Sequence, residues 1–136
     1  MATWVAVLLK EHLGEQWSGD LVDPACGDGE LLDAAFEQLP AAKLFGMDID
    51  AEASQAAQTR LGGSAVIKTE DMLLSPSVKK RRQSFNPGAV ISNPPWGADT
   101  LHSTGRLRAL GYSLANGQFD SWSLFVEMSL KALEGE

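Results

Sequence analysis

Four short apolar runs alternate with helical stretches along the chain, and this alternation constrains the fold more than any other feature. The runs are Leu21 to Asp23, Lys43 to Met47, Ala65 to Ile67 and Ala89 to Ser92. Before and between them, residues 3–13, 30–38 and 51–60 read as helices, closed respectively by Gly14, by the approach to Pro40 and by Gly62-Gly63. Asp50 is placed to cap the third of these. Strands alternating with helices imply an α/β domain with a parallel sheet and right-handed crossovers. In such sheets ligands bind beyond the carboxyl ends of the strands. Asp23 to Gly29, Asp48 to Asp50 and Asn93 to Trp96 all follow strands, so they should converge on one edge of the sheet.

Composition narrows the class. The 136 residues are 44% hydrophobic and 21% charged, as in an ordinary globular domain. A disordered tail, a collagenous repeat and a disulfide-stapled miniprotein are excluded. The net charge of −7 offers no broad surface for gripping phosphates. The one basic run is Lys79 to Arg82 within the 71–88 connection, usually a solvated loop and conceivably a phosphate contact. A single cysteine, Cys26, cannot form an internal disulfide, which fits a reducing, cytoplasmic setting. His12 and His102 have no second cysteine to join them, so no metal site is expected. No apolar run reaches the ~18 residues of a membrane span, and no signal peptide is visible.

Asp23-Pro24-Ala25-Cys26-Gly27-Asp28-Gly29 joins the first strand to a helix through a glycine turn. It can be a plain βα turn or a place where a ligand approaches the backbone. Leu32 stands where a dinucleotide fingerprint needs its third glycine, and no Gly-Lys-Ser/Thr ends a phosphate loop. Asp23 and Asp28 would repel a pyrophosphate but suit an ammonium or sulfonium ligand. Asp48 ends the second strand 21 positions after Gly27, the offset of a ribose-binding carboxylate. Asp71, in Thr69-Glu70-Asp71-Met72, reads on its own as a solvated loop acid; it could also accept from a purine amine.

Asn93-Pro94-Pro95-Trp96 carries the chemistry. Pro94 holds Asn93 extended and Pro95 does the same to Pro94. The proline carbonyls remain acceptors. A planar amine would meet an amide oxygen, a backbone carbonyl and the flat face of Trp96. Cys26 has no adjacent base to make it a nucleophile. About 22 residues of polar, glycine-containing chain follow, long enough for a functional loop. The last helix, near 119–133, places Trp122, Phe125, Val126, Leu130 and Leu133 on what reads as one buried stripe, part of which is expected to be exposed if a fifth strand is lacking.

In these motifs the chain resembles the gamma-type adenine-N6 DNA methyltransferases, the N-6 DNA methylase family. Its members include modification subunits of type I systems and fused type II enzymes. The resemblance covers nearly the whole chain and implies a Rossmann-like methyltransferase fold with an incomplete parallel sheet, order 3-2-1-4. It implies S-adenosylmethionine as cofactor, with Asp23, Pro24, Ala25, Cys26, Gly27, Asp28 and Gly29 as the methionine-binding loop. Asp48 falls on the ribose carboxylate, Ile49 on the residue packing against the cofactor adenine, and Asp71 with Met72 on the segment accepting from its amine. Asn93, Pro94, Pro95 and Trp96 match the catalytic motif, and the helix from Phe119 begins beside the cofactor. The implied reaction is direct methyl transfer to adenine in DNA, in restriction-modification or phage defence.

The chain departs from the family in three places. Thr3-Trp4 stands where the family has Thr-Pro, Asn86-Pro87-Gly88 loosens the spacing before the fourth strand, and the sequence stops at Glu134-Gly135-Glu136. Residues 1–136 are therefore expected to be one methyltransferase catalytic domain truncated before a fifth strand, lacking a target-recognition domain. The expected partners are DNA and a missing C-terminal half or specificity subunit, with no membrane. Two alternatives stay open: a relative acting on a protein glutamine or an RNA base, and an inactive binding-only remnant. Glutamine enzymes usually carry Tyr where this chain has Trp96.

Overall fold

The computed structural model describes residues 1–74, 87–97 and 101–134. The elements run α1 (Ala2–Leu13), β1 (Asp20–Asp23), α2 (Glu30–Gln38), β2 (Lys43–Asp48), α3 (Ala51–Leu61), β3 (Ala65–Thr69), β4 (Pro87–Val90), α4 (Thr104–Ala109) and α5 (Ser121–Glu134). The four strands are all parallel, in the order β3-β2-β1-β4. Leu21 pairs with Leu44 on one side and with Ala89 on the other. This is the Rossmann-like methyltransferase topology expected from the sequence. Among the described residues no helix is long and apolar enough to cross a membrane.

Side chains alternate across a strand, so neighbours point to opposite faces. Leu21 and Leu44 enter a core with Leu32, Leu39, Ala57 and Leu61, backed by Val5, Leu9 and Trp17. Val22 and Met47 enter the opposite core with Leu107, Tyr112, Leu124, Phe125 and Met128. Both faces are covered, which accounts for strands this apolar. Asp50 caps α3 as expected, its carboxylate accepting from the Glu52 and Ala53 N–H groups.

Three expectations are corrected. β4 begins at Pro87 and its ladder ends at Val90, two residues earlier at each end than the sequence indicates. The register shifts between Asp20 and Leu21, so Asp20 faces Pro87 while Leu21 faces Ala89. Gly88 absorbs the extra residue: a Cβ there would lie 2.9 Å from the Trp17 ring. Thus Asn86-Pro87-Gly88 is no mere spacer, since its last two residues belong to the strand. The long segment after Trp96 contains a short helix, α4, capped by Ser103 and anchored by the fully buried Leu107.

The α5 stripe is also different. Of the five residues assigned to it only Phe125 is buried, whereas Trp122, Val126, Leu130 and Leu133 are exposed. The inward face carries Ser121, Leu124, Phe125, Glu127 and Met128. Two apolar rows satisfy the same helical period, and periodicity alone does not choose between them. The basic run Lys79 to Arg82 lies outside the described residues.

Candidate functional site

A cavity of about 460 Å³ opens at the carboxyl ends of the strands. Its wall draws on all three segments singled out in the sequence. Pro24, Ala25 and Gly27 come from the β1 turn, Asp48 and Ile49 from the end of β2, and Asn93, Pro95 and Trp96 from beyond β4. Asp71 and Met72 join them after β3.

Backbone bonds shape the β1 turn. Gly27 and Gly29 have φ of 54° and 85°, angles that L side chains resist. The Cys26 N–H donates to the Met47 carbonyl (2.8 Å), and Gly29 N–H to the Cys26 carbonyl (2.9 Å). Gly29 also lets α3 come close, since a Cβ there would stand 3.0 Å from Leu61 and 3.2 Å from Ala57. Asp48 ties β2 to this turn. Its Oδ2 accepts from Gly27 N–H (2.8 Å) and its Oδ1 from Asp50 N–H (2.9 Å). A carboxylate oxygen has two lone pairs, so each retains capacity for a ligand hydroxyl.

Four residues of the expected cofactor loop stand behind this wall. Asp23 is 1% exposed, and its Oδ1 accepts from Ala25 N–H (3.1 Å). Neither its Oδ2 nor the buried Ser92 Oγ completes a hydrogen bond. Burial pushes the Asp23 carboxyl up to about 7; the Ala25 N–H and the nearby Ser92 hydroxyl oppose the rise, and the Asp48 charge adds to it. Cys26 is buried, and desolvation, reinforced by Asp23 and Asp48, pushes its thiol up to about 12. It is an inert packing residue at neutral pH. Asp28 turns outward to Arg60 (2.7 Å), and Gly29 packs on α3. Pro94 likewise falls outside the lining and serves to stiffen the backbone between Asn93 and Pro95.

The opposite wall was less visible in the sequence. Glu70, Leu73, Leu101, His102, Ser121 and Phe125 all line the cavity; Phe125 was expected only as a stripe residue, and Leu73, Leu101 and His102 were assigned no part in the site. His102 Nε2 lies 2.6 Å from Asp71 Oδ2, while Asp71 Oδ1 accepts from Leu73 N–H (3.0 Å). The acid expected to receive a purine amine is thus already engaged by a histidine 31 positions away. No local signal could have revealed that pairing. At the rim, the Trp96 Nε1–H donates to Asn93 Oδ1 over 3.4 Å. The Ser121 hydroxyl donates to the Pro95 carbonyl (2.8 Å), fixing the motif against the start of α5.

The lining fits a cationic nucleoside. Asp48, Glu70 and Asp71 contribute negative charge, and no Lys or Arg lines the cavity among the described residues. Asp48 offers acceptors for ribose hydroxyls, and Ile49, Met72 and Phe125 offer apolar surface for a purine. Volume and mixed lining are those of a small-molecule site.

Several solved structures share the fold. A type I restriction enzyme modification subunit from Vibrio vulnificus YJ016 superposes with a TM-score of 0.71 over 96% of this chain, at 19% identity. PH1948 from Pyrococcus horikoshii, described as an RNA methyltransferase, gives 0.54 over 80% at 24% identity. TrmN from Thermus thermophilus gives 0.54 over 70% at 20% identity. The chain spans 29%, 53% and 29% of these three proteins respectively. No curated protein matches the sequence. Residues 5–110, most of the described cavity among them, match the methyltransferase small domain, and the chain belongs to that family of S-adenosylmethionine-dependent methyltransferases.

Proposed function

We propose that this domain places S-adenosylmethionine over the β1 turn and directs its methyl group to the exocyclic amine of adenine in DNA. The observation that carries the reading is the position of Asn93 Oδ1, held at a stiff strand end within the cavity and beside the Trp96 indole. Asp48 would hold the ribose, Ile49 and Met72 the adenine, and Pro24, Ala25 and Gly27 the methionine portion. Bound there, the cofactor supplies an electrophilic methyl group.

The protein's share is placement. A base rotated out of its duplex would lie on Trp96. Asn93 Oδ1 would accept from the target amine through its second lone pair, orienting the nitrogen lone pair toward the methyl group. As the N–C bond forms the sulfonium S–C bond would break, leaving the neutral thioether S-adenosylhomocysteine, and the amine proton would pass to solvent. Orientation and a fixed acceptor supply the rate, with no covalent enzyme intermediate. The Vibrio subunit's superposition over 96% of the chain supports a modification role, with DNA and further protein segments or subunits as partners.

Labelled methyl transfer to duplex DNA, transfer RNA and a glutamine-bearing protein tests the substrate. Label in N6-methyladenine of DNA is expected. Label in RNA or protein alone would replace adenine DNA by the class so marked. Asn93→Ala should lower the rate ~10²-fold or more, the scale of losing an oriented transition-state partner. Cofactor affinity should stay near the parental value. A variant that transfers methyl at the parental rate would remove Asn93 from the chemistry.

A further inference from the structure

Trp96 and Trp122 form an exposed aromatic pair, 71% and 37% accessible, with ring centroids 6.0 Å apart and planes tilted by 44°. Three hydrogen bonds set their register. The Pro95 carbonyl accepts from the Ser121 hydroxyl, the Gly97 carbonyl from Ser121 N–H, and Asp120 Oδ1 from Gly97 N–H, each at 2.8 Å. The residues on both sides of Trp96 are therefore bonded to the two residues just before Trp122. Gly97 makes this possible with φ of 118°.

Trp96 lines the cavity and Trp122 does not, so Trp122 meets the indole from outside. The other bond fixing the Trp96 ring is the 3.4 Å contact to Asn93 Oδ1. At 3.4 Å that bond holds the indole weakly, and a target amine sharing the same oxygen through its second lone pair weakens it further just when the indole face is needed. Trp122 is the contact that does not draw on that oxygen.

We propose that Trp122 is a positioning residue that holds the Trp96 indole as a wall for the target while Asn93 accepts from the amine. A backed indole favours an amine carried on an extended aromatic ring, a nucleobase, over a side-chain amide with little surface to stack. The inference rests on the assignment of Asn93 and Trp96 given above and extends it to a residue outside the cavity.

The intact protein tests it in two steps. Indoles this close couple their transitions, so far-ultraviolet circular dichroism should show a tryptophan couplet that Trp96→Ala and Trp122→Ala each abolish. Absence of a couplet in the parent would overturn the pairing. Fluorescence titration with an adenine-containing single-stranded oligodeoxynucleotide then reads target binding without turnover. Trp122→Ala should weaken it about tenfold, within the range that base–aromatic stacking supports. S-adenosylmethionine affinity should stay unchanged, and Trp122→Phe should recover most of the loss. Parental oligonucleotide affinity in Trp122→Ala would mean that Trp122 merely begins the exposed apolar row on α5, and would overturn the proposal. A glutamine peptide bound in preference to the oligonucleotide would overturn the substrate class. Oligonucleotide binding that depends on Trp122, without methylation of adenine, would uphold the inference while defeating the proposed reaction.

Discussion

The two walls of the cavity are built by different means. The β1–β2 wall is held by backbone groups and two carboxylates: Cys26 to Met47, Gly27 to Asp48, Asp50 to its own helix. The opposite wall, drawn from the segments after β3 and β4, is held by side chains reaching across long stretches of chain. Tyr112 Oη donates to the Leu73 carbonyl (3.0 Å), His102 meets Asp71, and Gly97 meets Asp120. Behind this wall, off the cavity lining, Glu127 ties α5 to the turn at Ser113 and Leu114. Its carboxylate accepts from Ser113 N–H (2.7 Å), the Ser113 hydroxyl (2.9 Å), Leu114 N–H (2.9 Å) and Lys131 (2.8 Å). The first wall is a property of the sheet. The second is a set of clasps that can be opened singly.

Opening the Glu127 clasp should have a large effect on stability. Burial by itself raises this carboxyl; Lys131, Leu114 N–H and the two Ser113 donors overcome it and lower the pKa from 4.5 to about 2. A depressed pKa means that the folded state prefers the charged form, so the contribution is whole above pH 4.5 and is lost as pH falls through 2. At neutral pH, discounted for solvent screening of the Lys131 pair, it amounts to about 1–3 kcal/mol. Glu127→Ala should cost about that much in denaturant titrations at pH 7, and much less near pH 2. Hydrogen exchange should show Ser113 and Leu114 opening while Gly27 stays protected. Equal loss of protection at Gly27 would show that the two walls stand or fall together.

The same contrast explains what the sequence discloses. Glycine turns, the Asp50 cap and the alternation of apolar runs are local signals, and they located α2, α3 and β2, whereas the strand order followed from the family resemblance. The motif that follows β4 was legible because prolines and an asparagine state their geometry within four residues. His102, Tyr112 and Glu127 were not legible, because each acts through a partner 14 to 39 positions away. A buried acid on α5 reads as an ordinary surface glutamate until the Ser113 turn is folded against it. Asp23, Cys26, Asp28 and Gly29 were placed in the correct turn, but which side of the turn faces the cavity depends on the packing of α3 and β2. The two apolar rows of α5 pose the same problem, resolved only by the sheet they meet.

Asp48 is the point at which the first wall can be broken. Asp48→Ala removes two acceptors from backbone N–H groups as well as the proposed ribose contact. Loss of hydrogen bonds to a polar ligand commonly costs ~1–3 kcal/mol, roughly 5- to 150-fold in affinity. Calorimetry with S-adenosylmethionine should register a fall in that range, and Asp48→Asn a smaller one. Gly27 amide exchange should quicken in Asp48→Ala, with Ser113 unaffected. A variant that binds the cofactor as tightly as the parent would place the ribose elsewhere and leave Asp48 as a brace of the turn alone.

Asp23 gives the smallest effect on cofactor binding and the sharpest contrast with Glu127, because its pH window lies on the other side. Its folded-state pKa, about 7, stands above the ordinary 3.8. The folded state therefore binds the proton more tightly than the unfolded chain. The stabilisation this group provides is whole below pH 3.8 and is lost as pH rises through 7. Asp23→Asn should flatten the decline of stability between pH 4 and 8, while the acid limb set by Glu127 remains. A cation bound beyond the turn favours the carboxylate form, so affinity for S-adenosylmethionine should rise from pH 6 to 8. The rise should be less than about tenfold, one unit of coupling, since Asp23 lies behind the lining rather than in it. S-adenosylhomocysteine lacks the sulfonium charge and should show a shallower rise. Calorimetric titrations of both ligands at pH 6, 7 and 8 distinguish the cases. Parallel slopes would mean that Asp23 does not sense the sulfonium, and that its buried charge serves only the Ala25 turn.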